Sequence, residues 1–133
     1  MEKPQLQLHE EPSKVLQTDF SAGSGNALQA CVASLFHLQL EDTPNFVTLP
    51  SYEQGIQDFV QPRYQASKSK PPASNSQALC ILRGKSPRGD FAHVVVARCR
   101  DDGNFDFVWD PHPDATFLDQ EEPFGWYMTF YEK

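Results

Sequence analysis

The chain has 133 residues, a formal net charge of −7 and a sequence pI near 4.9. That length accommodates one domain built on a single core, and the acidic balance argues against nucleic acid or an anionic membrane as partner. With 39% hydrophobic residues, ten Phe and eleven Pro, a globular fold rich in loops is expected. No apolar stretch approaches the ~20 residues of a membrane span. Three Cys without C-x-x-C spacing indicate neither a zinc knuckle nor a disulfide framework. The polar start from Met1 to Gln7 is not a signal peptide, so a reducing, cytoplasmic setting is expected.

Residues 1–20 are polar and read as an N-terminal arm, with Gln5-Leu6-Gln7-Leu8 as an edge strand or an ordered piece of that arm. Ser21 to Gly25 is a loop of small residues. A helix is predicted from Asn26 to Leu38, with Asn26 as its N-cap and Leu28, Cys31, Val32, Leu35 and Phe36 as one buried stripe. Ser51 and Gln54 resemble a capping box and open a second helix to about Val60, although Gly55 weakens the pattern. Residues 63–76 carry Lys, Ser, Pro and Asn with few apolar side chains and read as a surface loop.

The remainder is strand-like. Ala78 to Leu82 is a short apolar run, Gly84 to Gly89 a turn-rich loop, and Phe91 to Cys99 a β-branched central strand. Asp102-Gly103 signals a hairpin into Phe105 to Trp109, and Trp126 to Tyr131 is an aromatic last strand. Helices first and antiparallel strands afterwards predict an α+β domain.

The hairpin also brings chemistry together. A turn centred on Asp102-Gly103 pairs residues whose numbers sum to about 205, give or take a residue or two. His93 then lies opposite the neighbourhood of Asp110 and His112. A carboxylate that engages one nitrogen of an imidazole fixes its tautomer and leaves the other nitrogen as a base. The same three residues are also the donors of a two-His, one-carboxylate metal set, but Pro111 and Pro113 argue against the regular strand such a set needs.

Gly25-Asn26-Ala27, followed by the Ala/Ser/Leu-rich run from Gln29 to Leu35, resembles the first helix of papain-like cysteine hydrolases. The likeness is strongest to the short bacterial and phage versions that read Gly-Asn-Cys at this point. Leu38 to Phe46, Gly84 to Gly89, His93-Val94-Val95 and Asp110-Pro111-His112-Pro113 follow in the same order, over about residues 23 to 115. The resemblance implies a papain-like fold, with N-terminal helices packed on a C-terminal antiparallel sheet. It also implies a Cys-His-Asp triad in which Ala27 holds the nucleophile position, His93 is the base and Asp110 the orienting acid. Gln17, ten residues before Ala27, is a candidate for the oxyanion donor, with Asp19, Asn26 and the backbone N–H of residue 27 as others. Arg88 and His112 are candidate substrate contacts, against plainer readings as a solvated turn residue and a loop residue held by two prolines. Trp109 and Trp126 are expected to pack the sheet.

Ala27 has no nucleophilic atom. The intact residues around it favour a Cys→Ala substitution over drift in an inactive relative. Cys31 falls on the buried stripe, and Cys80 and Cys99 fall in apolar strands, so all three are expected in the core rather than as substitute nucleophiles. The expected function is therefore hydrolysis of a peptide, isopeptide or γ-glutamyl-type amide by a form with Cys in place of Ala27, without a cofactor. The chain as it stands would be inactive. A natural pseudoenzyme that binds a peptide or amide without turnover is the alternative.

Overall fold

The computed structural model describes residues 11–21, 25–73 and 77–132. Two helices, α1 (Ala27–Phe36) and α2 (Tyr52–Val60), precede five strands: β1 (Tyr64–Ser69), β2 (Leu79–Lys85), β3 (Ala92–Cys99), β4 (Phe105–Trp109) and β5 (Trp126–Glu132). Short 3-10 turns at Leu40–Asp42 and Phe46–Thr48 join the helices. The strands form one sheet in the order β1-β5-β2-β3-β4, every neighbour antiparallel. The α+β expectation holds at this level. No helix among the described residues is long and apolar enough to cross a membrane.

The helix α1 ends two residues earlier than predicted. His37 turns left-handed at φ 58°, and the N–H groups of His37 and Leu38 close on Ser34 and Ala33. The α2 cap is as read, with the Ser51 side chain accepting from Gln54 N. Gly55 does not break α2. Its bare Cα lies against Leu49, where a Cβ would come within 2.6 Å of Cδ1.

The predicted loop over residues 63–76 is corrected. Tyr64–Ser69 is a strand, paired along its length with β5. It reads as a loop because it lies at a sheet edge, where exposed side chains such as Gln65 and Lys68 need not be apolar. Gln57 on α2 supports it, accepting from Ala66 N and donating to Tyr64 O. Strand β2 also runs three residues beyond the apolar stretch, so the following loop starts at Ser86 rather than Gly84. The Gln5–Leu8 segment lies outside the described residues.

Two cores sandwich the sheet. On one face Leu28, Cys31, Val32 and Leu35 of α1 and Ile56 and Val60 of α2 meet Leu79, Ile81, Val94, Val96, Met128 and Phe130. On the other, Cys80, Leu82, Val95, Ala97 and Tyr127 are covered by the β4–β5 connection through Leu118, Phe117 and Phe124. Phe117 stacks on Phe107 at 5.1 Å. Within the β3–β4 hairpin, Gly103 takes φ 89°, a backbone that favours glycine. The ladder pairs Cys99 with Phe105 and Ala97 with Phe107, then shifts by one residue to pair Val96 with Trp109. That bulge sets what faces the start of β3.

Phe130 is fully buried beneath Phe36, with ring centroids 5.2 Å apart. Phe130→Ala is expected to lower the unfolding free energy by about 3–5 kcal/mol, measured by urea denaturation. A loss below about 1 kcal/mol would contradict the packing described.

Candidate active site

The described part of the N-terminal arm crosses from α1 to the end of β4. Ser13 N and Val15 N donate to Ser34 O and Oγ on α1. Trp109 Nε1 donates to Val15 O, and Gln17 N donates to Pro111 O. The arm thus delivers Gln17, 7% exposed, to the N-terminal end of α1. Gly25 is needed there, because a Cβ would stand 2.8 Å from Ser21 O and 3.1 Å from Asp19 O.

Asn26 departs from its expected role. Its side chain makes no cap on α1; instead Oδ1 accepts from both Thr18 N and Asp19 N at 2.8 Å, and Nδ2 donates to Thr18 Oγ1. Two convergent backbone N–H groups in the arm compete successfully with the helix's first turn for this acceptor. The positive end of α1 is left without a side-chain cap. Asn26 is therefore a brace for the loop that carries Gln17 and is not on the cleft lining.

A cleft of about 620 Å³ opens at this end of α1, lined by Ala27, His93, Gln17, Arg88 and His112 among others. Ala27 is the first residue of α1 and is 9% exposed. His93, near the start of β3, directs Nε2 to Asp110 Oδ1 at 2.8 Å, which leaves Nδ1 as the uncommitted ring nitrogen. Asp110 lies behind His93, 1% exposed, and accepts twice more, from His112 N at 2.9 Å and Phe117 N at 2.8 Å. Burial pushes its carboxyl up, but the hydrogen bonds from His93, His112 and Phe117 outweigh that and hold it below the ordinary value of 3.8. The hairpin spacing placed Asp110 near His93, and the two are hydrogen-bonded; Ala27, which the resemblance put at the nucleophile position, lines the same cleft as His93.

The other named residues divide. The Gln17 amide lines the cleft, with Nε2 donating to Asp19 O at 3.1 Å and Oε1 buried without a partner among the described residues. Asp19 is not on the lining; its carboxylate accepts from Ser21 Oγ and N, which lower its pKa, and an anion there cannot stabilise an oxyanion. Arg88 is on the lining but its guanidinium is tied to Asp114 Oδ1 and Thr116 Oγ1, each at 3.0 Å. His112 stands edge-on to His93, with centroids 6.4 Å apart, and to Phe20 at 5.0 Å. Its Nδ1 accepts from Asp114 N. Among the described residues no group of three or more His, Cys, Asp or Glu is arranged to hold a metal ion.

Cys31 is fully buried, and desolvation, with the nearby Asp110 charge, pushes its thiol well above the ordinary range. Cys80 is raised likewise, by burial first and then by Cys99. Trp109 packs as expected, whereas Trp126 has a second task. It stacks on Tyr52 at 5.7 Å, and both rings wall the cleft, with the Lys68 ammonium over each. Arg83, Tyr52 and Phe20 are cleft residues that the sequence reading did not single out. For Arg83 the signal was a cation directly after the apolar run Leu79–Leu82.

No protein-family model, curated protein or solved structure matches this chain.

Asp110→Asn would place an amide donor against one of three N–H donors. It is expected to cost about 2–4 kcal/mol at neutral pH. Because the folded pKa lies below 3.8, this stabilisation is present above that value and disappears as pH falls through the folded pKa. The gap between parent and variant, measured by urea denaturation, should therefore narrow as pH falls from about 5 through the ordinary value of 3.8 and below it. A gap independent of pH would show that the carboxylate charge is not what holds His93.

Proposed function

We propose that this chain is the scaffold of a small papain-like thiol amidohydrolase or peptidase whose nucleophile position is occupied by Ala27. Its substrate would be a peptide, isopeptide or γ-glutamyl-type amide. The observation that carries the reading is the buried His93–Asp110 pair at 2.8 Å, opening on the same cleft as the first residue of α1. The order of elements, helices before an antiparallel sheet, is consistent with a papain-like architecture.

With Cys at position 27, the positive end of α1 and a protonated His93 both favour the thiolate. The thiolate attacks the amide carbonyl carbon, and the electron pair of the C=O bond moves to oxygen. The backbone N–H of residue 27 and the remaining Nε2 proton of Gln17 are the donors available to that oxyanion. As the C–N bond breaks, imidazolium Nδ1 gives its proton to the leaving amine, and a thioester remains. His93 then takes a proton from water, hydroxide adds to the thioester, and the thiolate departs. Asp110 keeps Nε2 protonated throughout, so that only Nδ1 exchanges protons.

A second reading is supported by Ala27 itself. With a methyl group in place of a nucleophile and a well-formed cleft around it, the chain as it stands is a binding module for the same class of amide.

Ala27→Cys separates the two. It should be treated with limiting iodoacetamide at about pH 6, where an ordinary thiol of pKa about 8.5 is almost fully protonated. Peptide mapping is expected to find residue 27 labelled at least about tenfold faster than Cys31, Cys80 and Cys99, and His93→Ala to remove that advantage. No selective labelling at 27 would sink the hydrolase reading and leave the binding module.

A further inference from the structure

We propose that the cleft selects amides bearing a carboxylate near the reacting carbonyl, and that Arg83 recognises that carboxylate. The position of the carbonyl rests on the hydrolase reading; the binding itself requires no nucleophile.

The first ground is charge. The chain carries 18 Asp and Glu residues and a net charge of −7. Among the described residues none of these acids lines the cleft, whereas Arg83, Arg88, His93 and His112 do. Arg88 and His112 lie against the Asp114 carboxylate and His93 against that of Asp110, so among the described residues Arg83 is the uncompensated cation of this recess, and it attracts an anion against the overall field.

The second ground is pairing. Arg63, Arg88, Arg98 and Arg100 each meet a carboxylate, from Glu132, Asp114, Glu11 and Asp102 respectively. Among the described residues Arg83 has neither an ion pair nor a side-chain hydrogen bond to a carboxylate or carbonyl. Its planar fork is left for a group from outside, and a carboxylate takes both prongs.

The third ground is position. Arg83 follows four buried residues of β2 and lies opposite Val94 and Trp126 in the sheet. By alternation it shares the face of Leu79 and Ile81, which the helices cover further along. The next residue, Gly84, lies directly opposite His93. Arg83, His93 and Ala27 line one cleft, so a substrate whose carbonyl lies at His93 can meet Arg83 with a nearby carboxylate. The Tyr52–Trp126 pair and exposed Phe20 and Phe91 supply apolar surface on the same cleft. The favoured ligand is thus a small amide with an aromatic or apolar group and a carboxylate. A phosphate is the competing anion, since one arginine fork can grip it as well, and the test includes it.

The test uses the chain with Ala27 in place, so that nothing is turned over. Isothermal titration compares benzoyl-Gly-Phe, its C-terminal amide, benzoyl-Gly-Glu-amide and phenyl phosphate. One of the two carboxylate probes is expected to bind at least about tenfold more tightly than benzoyl-Gly-Phe-amide. Which of them does so tells a chain-terminal carboxylate from an acidic side chain. Arg83→Gln should erase the difference by weakening the carboxylate probe alone, and Arg83→Lys should retain part of it. Thermal unfolding checks that both variants fold, which the exposure of Arg83 favours. The assignment is overturned if acid and amide bind alike, if none of the probes binds, if the preference survives in Arg83→Gln, or if phenyl phosphate binds most tightly. Selective labelling of Ala27→Cys with no carboxylate preference would remove this inference and leave the hydrolase reading. A carboxylate preference without selective labelling would do the reverse.

Discussion

The buried carboxylate of Asp110 is the constraint on which the rest of this structure depends. It accepts three hydrogen bonds, from His93 at the start of β3, from His112 just beyond β4 and from Phe117 in the β4–β5 connection. An ionised group so deeply buried is tolerable only when its oxygens are satisfied. The same three bonds therefore orient an imidazole on one side and fasten the segment that closes the second core on the other. Site geometry and sheet packing are not separable here, because Phe117 donates to Asp110 through its backbone while its ring stacks on Phe107.

A comparable economy holds at the other side of the cleft. Asn26 forgoes the ordinary task of an N-cap and grips the backbone of Thr18 and Asp19. The arm is thereby held against α1 and the end of β4, and the helix terminus stays open to the cleft. Each group that could take part in chemistry is held by a neighbour that does not itself reach the cleft: His93 by Asp110, and Gln17 by the Asn26-braced loop.

Much of this was legible in the sequence, for identifiable reasons. Alternation and turn chemistry around Asp102-Gly103 located the β3–β4 hairpin, and its register placed Asp110 beside His93. The apolar stripe of α1 located the helix and put Cys31 in the core. What remained hidden was set by tertiary context. Tyr64–Ser69 lacks an apolar signature because an edge strand needs none. Asn26 has a cap's chemistry, and only the folded arm brings it two better donors. Arg83 is a lone cation after an apolar run, and its place on a cleft becomes apparent only once β5 has laid Trp126 beside it.

The one-residue shift between Val96 and Ala97 has a bearing on how this chain can vary. Side chains on a strand alternate between faces, so a slip of one position exchanges the whole set. The bulge fixes the parity with which the β4 exit meets β3, and hence whether residue 110 or its neighbour Pro111 reaches the imidazole. A single-residue insertion or deletion in the exposed turn at Asp102-Gly103, harmless in most hairpins, would here carry the acid to the wrong side of the sheet unless the bulge moved with it. The length of that turn is thus held to its present value by chemistry at the far end of the strands, and lineages descending from this scaffold should lengthen other loops before that one.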